Sequence, residues 1–277
     1  QAKDYVVKFG FLEPAGQPSL AGISLHDVSF SYTGAEPWLL KGIDFRVDSS
    51  TRVTIVGANG SGKTTLLALV AGALKPCSGE VNHSPKLVIG RFSQHFEEVA
   101  TNPTLSAVEF LMSHDLSRLG GGGGSNKTEL AHRCLGRFGL PSHAHRRPMT
   151  ELSGGQKARV CFASLTCRAP EILILDEPTN HLDIESVEAL IQALKAYKGG
   201  LLLVTHDARL IQATECELKI CKGAEFPELE TVSSFQEYRK SIIKSLAKRQ
   251  AQAEEEARKR ALTRQQARQQ ALTRAKR

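Results

Sequence analysis

Three short runs in this 277-residue sequence hold residue types suited to phosphate chemistry. The first is Gly57-Ala58-Asn59-Gly60-Ser61-Gly62-Lys63-Thr64, which follows a strand-like stretch over 52–56 and opens an apolar helix over 65–71. Glycines let a backbone curl around an anion with its N–H groups turned inward, and the positive end of the following helix adds to the attraction. Lys63 supplies a point charge to the β- and γ-phosphates, and the Thr64 hydroxyl suits a Mg²⁺ ligand. Gly57, Asn59, Gly60, Ser61, Gly62 and Thr65 complete the candidate nucleotide set. A merely flexible turn would account for the glycines, but not for a Lys-Thr pair set between strand and helix.

The second run is Ile172-Leu173-Ile174-Leu175-Asp176-Glu177. Four aliphatics that stop at two acids describe a buried parallel strand ending in a polar site, and α/β folds bind ligands at that carboxyl edge. Asp176 is then a candidate for Mg²⁺ and Glu177 for polarising the water that attacks the γ-phosphate. The next aliphatic strand, over 200–205, delivers His206 to the same edge, where it can bond the γ-phosphate or that water. A strand over 87–92, expected beside the phosphate loop, delivers Gln94, whose amide can reach the metal or the water. The third run is Leu152-Ser153-Gly154-Gly155-Gln156, a Gly-Gly turn into a helix whose free N–H groups can hold an anion. Asp183 precedes a helix over 184–196 and suits either an N-cap or the nucleotide. Of two aromatics near a turn, Tyr32 is assigned to stacking on the base and Trp38 to the core.

The elements that must position these groups follow from periodicity. A strand with imperfect alternation is expected over 22–32 and two short strands over 45–56. Helices over 104–112 and 127–138 are split by the glycines 120–124, a loop tip that cannot bury a core. His143, His145, Arg146 and Arg147 read as a solvated charge cluster. A helix over 157–168 and β-like pieces over 217–221 and 228–232 come next. Ser233 is the expected cap of a tail rich in Ala, Gln, Lys, Arg and Glu. Residues 239–277 hold thirteen Lys/Arg and three Glu, a local balance of +10, so residues 1–238 carry −3 of the chain's +7. As one helix that stretch would span roughly 60 Å. Such a charge favours RNA, or equally a solvated helix that meets a protein partner. The six cysteines show no metal-binding spacing and read as reduced, mostly buried side chains of a cytoplasmic protein. There is no run of 18 apolar residues, so no membrane span is expected. Gln1 stands where a start Met would, with no leader after it, and the chain reads as a piece of something longer.

Taken in order, the phosphate loop 57–64, Gln94, Leu152–Gln156, Ile172–Glu177, Leu182-Asp183 and His206 resemble the motifs of the ATP-binding cassette (ABC) nucleotide-binding domain over about residues 22–222. The resemblance implies an α/β fold: a RecA-like core with an antiparallel β edge, and a helical lobe near 96–168. A lead-in segment or linker (1–21), the cassette (22–232) and a basic helical tail (233–277) are the expected divisions. ATP and Mg²⁺ are the implied cofactors. A head-to-tail sandwich is implied with a second cassette, from the same polypeptide or another copy. There Ser153 and its glycines would hold the γ-phosphate of the opposite ATP, so a single cassette would hydrolyse ATP slowly. The run Glu177-Pro178-Thr179-Asn180-His181-Leu182-Asp183 is similar to the ABC-F branch, which has paired cassettes and no membrane domain. Arg91-Phe92-Ser93-Gln94-His95 and Val6-Val7-Lys8-Phe9-Gly10-Phe11 look like the second cassette of its eukaryotic translational-control members. This similarity implies action on the ribosome; the glycines 120–124 depart from the usual pattern. Two other readings stay open, the ATPase subunit of a membrane transporter and an adaptor whose tail recruits a regulatory protein.

Overall fold

The computed structural model describes residues 7–14, 22–93, 104–119, 126–223, 229–244, 247 and 250. Two compact units divide the chain, Gln1–Thr231 and Val232–Arg277.

The first unit is built on two sheets. Strands β1 (Gly22–Phe30), β2 (Leu40–Asp48) and β4 (Ser78–His83) form an antiparallel sheet in the order β2-β1-β4. The other sheet has the order β5-β6-β7-β3-β8-β9, from β3 (Arg52–Val56), β5 (Ile89–Phe92), β6 (Ile172–Asp176), β7 (Gly200–Val204), β8 (Glu217–Ile220) and β9 (Glu230–Val232). From β5 to β8 its pairings are all parallel. Every residue of β6 and β7 is buried, as expected of strands covered on both faces. Their side chains alternate between two cores: Leu173, Leu175, Leu201 and Leu203 face one, and Ile172, Ile174, Leu202 and Val204 face the other. Helix α1 (Lys63–Val70) fills the second core together with β1 and β2. It is apolar nearly all round because it is enclosed.

The first core belongs to α2 (Ala107–Met112), α3 (Lys127–Arg137), α4 (Gly154–Arg168), α5 (Ile184–Ala196) and α6 (Ala208–Thr214). Ser106 and Glu109 form a reciprocal capping box on α2, and Asn126 caps α3. The described residues of the lead-in segment, 7–14, take no strand and dock here. Phe9 is buried against Phe138 and Phe162, with ring centroids 4.9 and 5.4 Å away, and Thr166 Oγ1 donates to the Gly10 carbonyl at 3.0 Å.

Several expectations are corrected. The broken alternation of the first strand is a bulge at His26-Asp27, where Asp27 has φ 48°. That strand ends at Phe30, leaving Tyr32 outside it. Trp38 is half-buried and bonds Glu36, and it is absent from both cores. His145 is not solvated: it is buried, with Nε2 bonded to the Leu140 carbonyl at 2.9 Å and Nδ1 to His132 Nδ1 at 2.7 Å. Burial pushes its imidazole below the usual histidine range. Strand β5 does not neighbour β3; two strands separate them, and β5 lies beside β6. All six cysteines are free thiols, and four of them are buried.

In the second unit residues 235–244 are helical. Ser234 rather than Ser233 caps them, its hydroxyl accepting from the Glu237 N–H at 3.2 Å, while the Ser233 hydroxyl donates to the Glu237 carboxylate. The glycines 120–124 and the basic stretch 251–277 lie outside the described residues. Among the described residues no helix is long and apolar enough to cross a membrane.

Candidate functional site

The phosphate loop turns between β3 and α1 because its glycines take backbone conformations that side chains resist. Gly62, at the N-cap of α1, has φ 94°, and no side chain occupies the cap. The first-turn N–H groups are thus left for an anion. Lys63 is only 8% exposed, and its ammonium donates to the carbonyls of Gly57 at 3.1 Å and Ala58 at 2.9 Å, folding the side chain back over its own loop. The Ser61 hydroxyl is buried without a hydrogen-bond partner, a donor that an incoming anion would satisfy. Cys221 Sγ donates to the Ser61 carbonyl at 3.1 Å from just past the end of β8. Tyr32 is 73% exposed, with its hydroxyl 3.0 Å from Thr65 Oγ1 and its ring edge-to-face with Phe30.

The strand order brings the acids to this loop. β7 lies between β3 and β6, so Asp176 pairs with Val204 while β3 flanks β7 on the other side. Asp176 is buried. Glu177 has φ 47°, a left-handed conformation rare outside glycine, and its N–H donates to the Val204 carbonyl at 2.8 Å. Its carboxylate meets His206 twice: Oε1 lies 3.3 Å from Nε2, and Oε2 accepts from the His206 N–H at 3.3 Å. Burial raises the Glu177 pKa above the usual carboxylate value, against the opposing pull of His206. A cleft of about 370 Å³ is lined by Asn59, Gly60, Lys63, Thr64, Asp176, Glu177, Asn180, Val204 and His206. Asn180, a polar member of this lining with no role in phosphate chemistry expected of it, belongs to the Glu177–Asp183 run that resembles the F branch.

The exposed Thr64 hydroxyl and the buried Asp176 carboxylate share that cleft. No group of three or more His, Cys, Asp or Glu gathers among the described residues. A sparse oxygen donor set fits Mg²⁺, which keeps most of its ligands from phosphate and water. Gln94 lies outside the described residues, two positions beyond the end of β5.

Ser153, Gly154, Gly155, Gln156 and Asp183 do not line this cleft. Ser153 caps α4, accepting from the Gln156 N–H at 3.3 Å, and Gln156 Oε1 accepts in return from the Ser153 N–H at 3.0 Å. The Gln156 side chain is thereby occupied in a capping box. Asp183 caps α5 through the Ser186 N–H at 2.8 Å, and its other oxygen pairs with Arg159 of α4. Its N-cap reading is therefore realised. Those hydrogen bonds and the Arg159 charge outweigh burial and hold its pKa low.

Similarity to known proteins matches this geometry. The family model described as ABC transporter covers residues 40–180, just over half of the chain. The chain belongs to that family of ATPases and carries its nucleotide-binding cassette. It is 42% identical over 254 residues to ABC transporter F family member 4 of Arabidopsis thaliana, covering 88% of this chain and 33% of that protein. It is 39% identical over 212 residues to ATP-binding cassette sub-family F member 2 of Mus musculus (76% and 32%), and 40% identical over 227 residues to Protein GCN20 of Saccharomyces cerevisiae (80% and 28%). The cassette is of the F type, and the chain spans about a third of the length of these curated relatives. Among solved structures, a dimeric post-hydrolysis state of the ATP-binding cassette MJ0796 bound to ADP and Pi aligns at TM-score 0.61 and 27% identity, covering 77% of this chain and all of that one.

Proposed function

We propose that this chain is one ATP-hydrolysing cassette of a two-cassette F-type protein that acts on the ribosome in the cytoplasm, in translation or its regulation. The hydrolytic part is carried by one observation: the Glu177–His206 pair faces the cleft that also holds Lys63, Thr64 and Asp176. ATP docks with its base on the exposed Tyr32 ring and its phosphates in the loop of Gly57, Asn59, Gly60, Ser61 and Gly62, with Thr65 behind. Lys63 exchanges its two carbonyl contacts for β- and γ-phosphate oxygens, and the Ser61 hydroxyl gains an acceptor. Thr64, Asp176 and Gln94 are the residues that would hold Mg²⁺, which when bound would neutralise charge on the phosphates. Glu177 takes the proton of the attacking water, and its raised pKa strengthens it as a base. His206 holds that carboxylate in one orientation through the two contacts at 3.3 Å.

The Ser153–Gln156 turn stands off this cleft, which supports its service to a nucleotide on a second cassette in a head-to-tail sandwich. The partner cassette comes from the same polypeptide or from another copy. The similarity to F-type relatives supports the ribosomal role, and the cationic residues 239–277 support contact with rRNA. Co-sedimentation with ribosomes tests the whole reading, using the intact parent protein with Glu177→Gln and the matching change in its other cassette. Binding in ATP and not in ADP is expected, weaker at higher salt and lost when residues 239–277 are removed. Nucleotide-bound protein that stays off ribosomes at both salts would overturn the ribosomal part in favour of a tail that recruits a regulatory protein.

A further inference from the structure

The capping box is one of two devices on the Ser153–Gln156 turn. Residues 178–183, leaving the catalytic edge, pass over the first turn of α4. The His181 carbonyl oxygen lies 2.7 Å from the point where a Cβ on Gly155 would stand, and the His181 Nδ1 lies 3.2 Å from the same point on Gly154. Neither glycine has a positive φ. Close approach by His181, not backbone conformation, therefore crowds a Cβ at both positions: its backbone carbonyl bars one at Gly155, and its ring leaves only a tight fit for one at Gly154. Two positions further on, Asp183 caps α5 and pairs with Arg159 of α4, so the loop is fastened to the same helix a second time. Its other end is Glu177, and Asn180 between them lines the nucleotide cleft.

We infer that His181 is the positioning residue of the signature turn: its ring packs on Gly154 and its carbonyl on Gly155, fixing where the first N–H groups of α4 present themselves to the opposite nucleotide. The inference rests on the sandwich proposed above. A small side chain at 181 would leave the Gly154 side of the turn without this packing, and the turn could shift while the phosphate loop of the same chain stayed intact. His181 is absent from the lining of the cleft, so its role is separable from nucleotide binding in its own chain.

The test uses the 277-residue chain carrying Glu177→Gln, with ATP-driven self-association followed by sedimentation velocity and ATP affinity measured at dilutions where the chain is monomeric. His181→Ala should weaken association by about tenfold, the equivalent of one hydrogen bond to a charged group. Its monomer ATP affinity should be unchanged. His181→Phe, which keeps a ring over Gly154, should restore most of the association. Gly154→Ala should also weaken association, and adding His181→Ala to it should give partial recovery, because loss of the ring makes room for the methyl. Gly155→Ala should not recover, since its obstacle is a backbone carbonyl. Unaltered association in His181→Ala, a parallel loss of monomer ATP affinity, or additive losses in the Gly154 and His181 pair would each overturn the assignment. ATP-bound parent that stays monomeric at every concentration would overturn a sandwich between two copies of this chain, and the His181 assignment read through it.

Discussion

Replacing Glu177 with Gln removes the proton acceptor while keeping the shape that fills the catalytic edge. General-base catalysis contributes about 10²–10⁴ in rate, or about 2.7–5.4 kcal/mol of barrier. The structure places the loss toward the upper end of that range. Asp176, the other acid of the cleft, is assigned to the metal and His206 to orienting Glu177, so no second carboxylate is at hand. The same substitution should stabilise the fold in a pH-dependent way. Burial raises the folded pKa of Glu177 above its unfolded value, so the wild-type carboxyl loses stability as pH rises through that folded value. The amide does not ionise, and the gain of Glu177→Gln should be absent below about pH 4, near the unfolded carboxyl pKa, and should grow to a plateau above the raised one. Single-turnover phosphate release at saturating ATP measures the first effect, and urea unfolding at a series of pH values measures the second. Turnover within about fivefold of wild type would refute Glu177 as the base, since that is far below the range for general-base loss. A stability gain larger at low pH than at neutral pH would refute the burial argument.

Other residues give equally direct expectations. Lys63→Ala removes the buried ammonium that donates to Gly57 and Ala58, and ATP affinity should fall by at least about 100-fold in a calorimetric titration, through loss of the two charge-assisted hydrogen bonds proposed to the β- and γ-phosphates. Tyr32→Ala should cost about 1–3 kcal/mol of ATP affinity through lost base stacking while leaving inorganic triphosphate binding unchanged, which a competition assay separates. Arg159→Ala breaks bonds to Gly139 O (2.7 Å), Ser186 Oγ (3.0 Å) and Asp183. With the guanidinium largely buried and Asp183 more than half exposed, unfolding free energy should drop by about 2–4 kcal/mol in urea, less in the Asp183→Asn background because they share one interaction.

What could be read from the chain alone was whatever local sequence determines. The phosphate loop announces itself because glycines, Lys63 and Thr64 must be contiguous to wrap one anion. The strand ending at Asp176 and Glu177 is legible because four aliphatics cannot be anything but enclosed. Helix α5 was expected over 184–196 and is found there, since Asp183 and the apolar period mark both ends. Where two distant segments had to be matched, the sequence pointed to a shared sheet edge but not to which side chains meet. Strand order, decided by how the crossovers pack, put β5 beside β6 and two strands away from β3, which leads into the phosphate loop. It also set His206 against Glu177, two residues 29 apart in sequence. His145 looked solvated among its charged neighbours, yet the fold buried it against Leu140 and His132, because a single residue's depth depends on which helix covers it. The glycines of the Ser153–Gln156 turn showed the same limit. Their place in a Gly-Gly turn before a helix marked them as anion-binding, and only tertiary packing revealed that His181, four residues past Glu177, crowds a Cβ at both positions and bars one at Gly155.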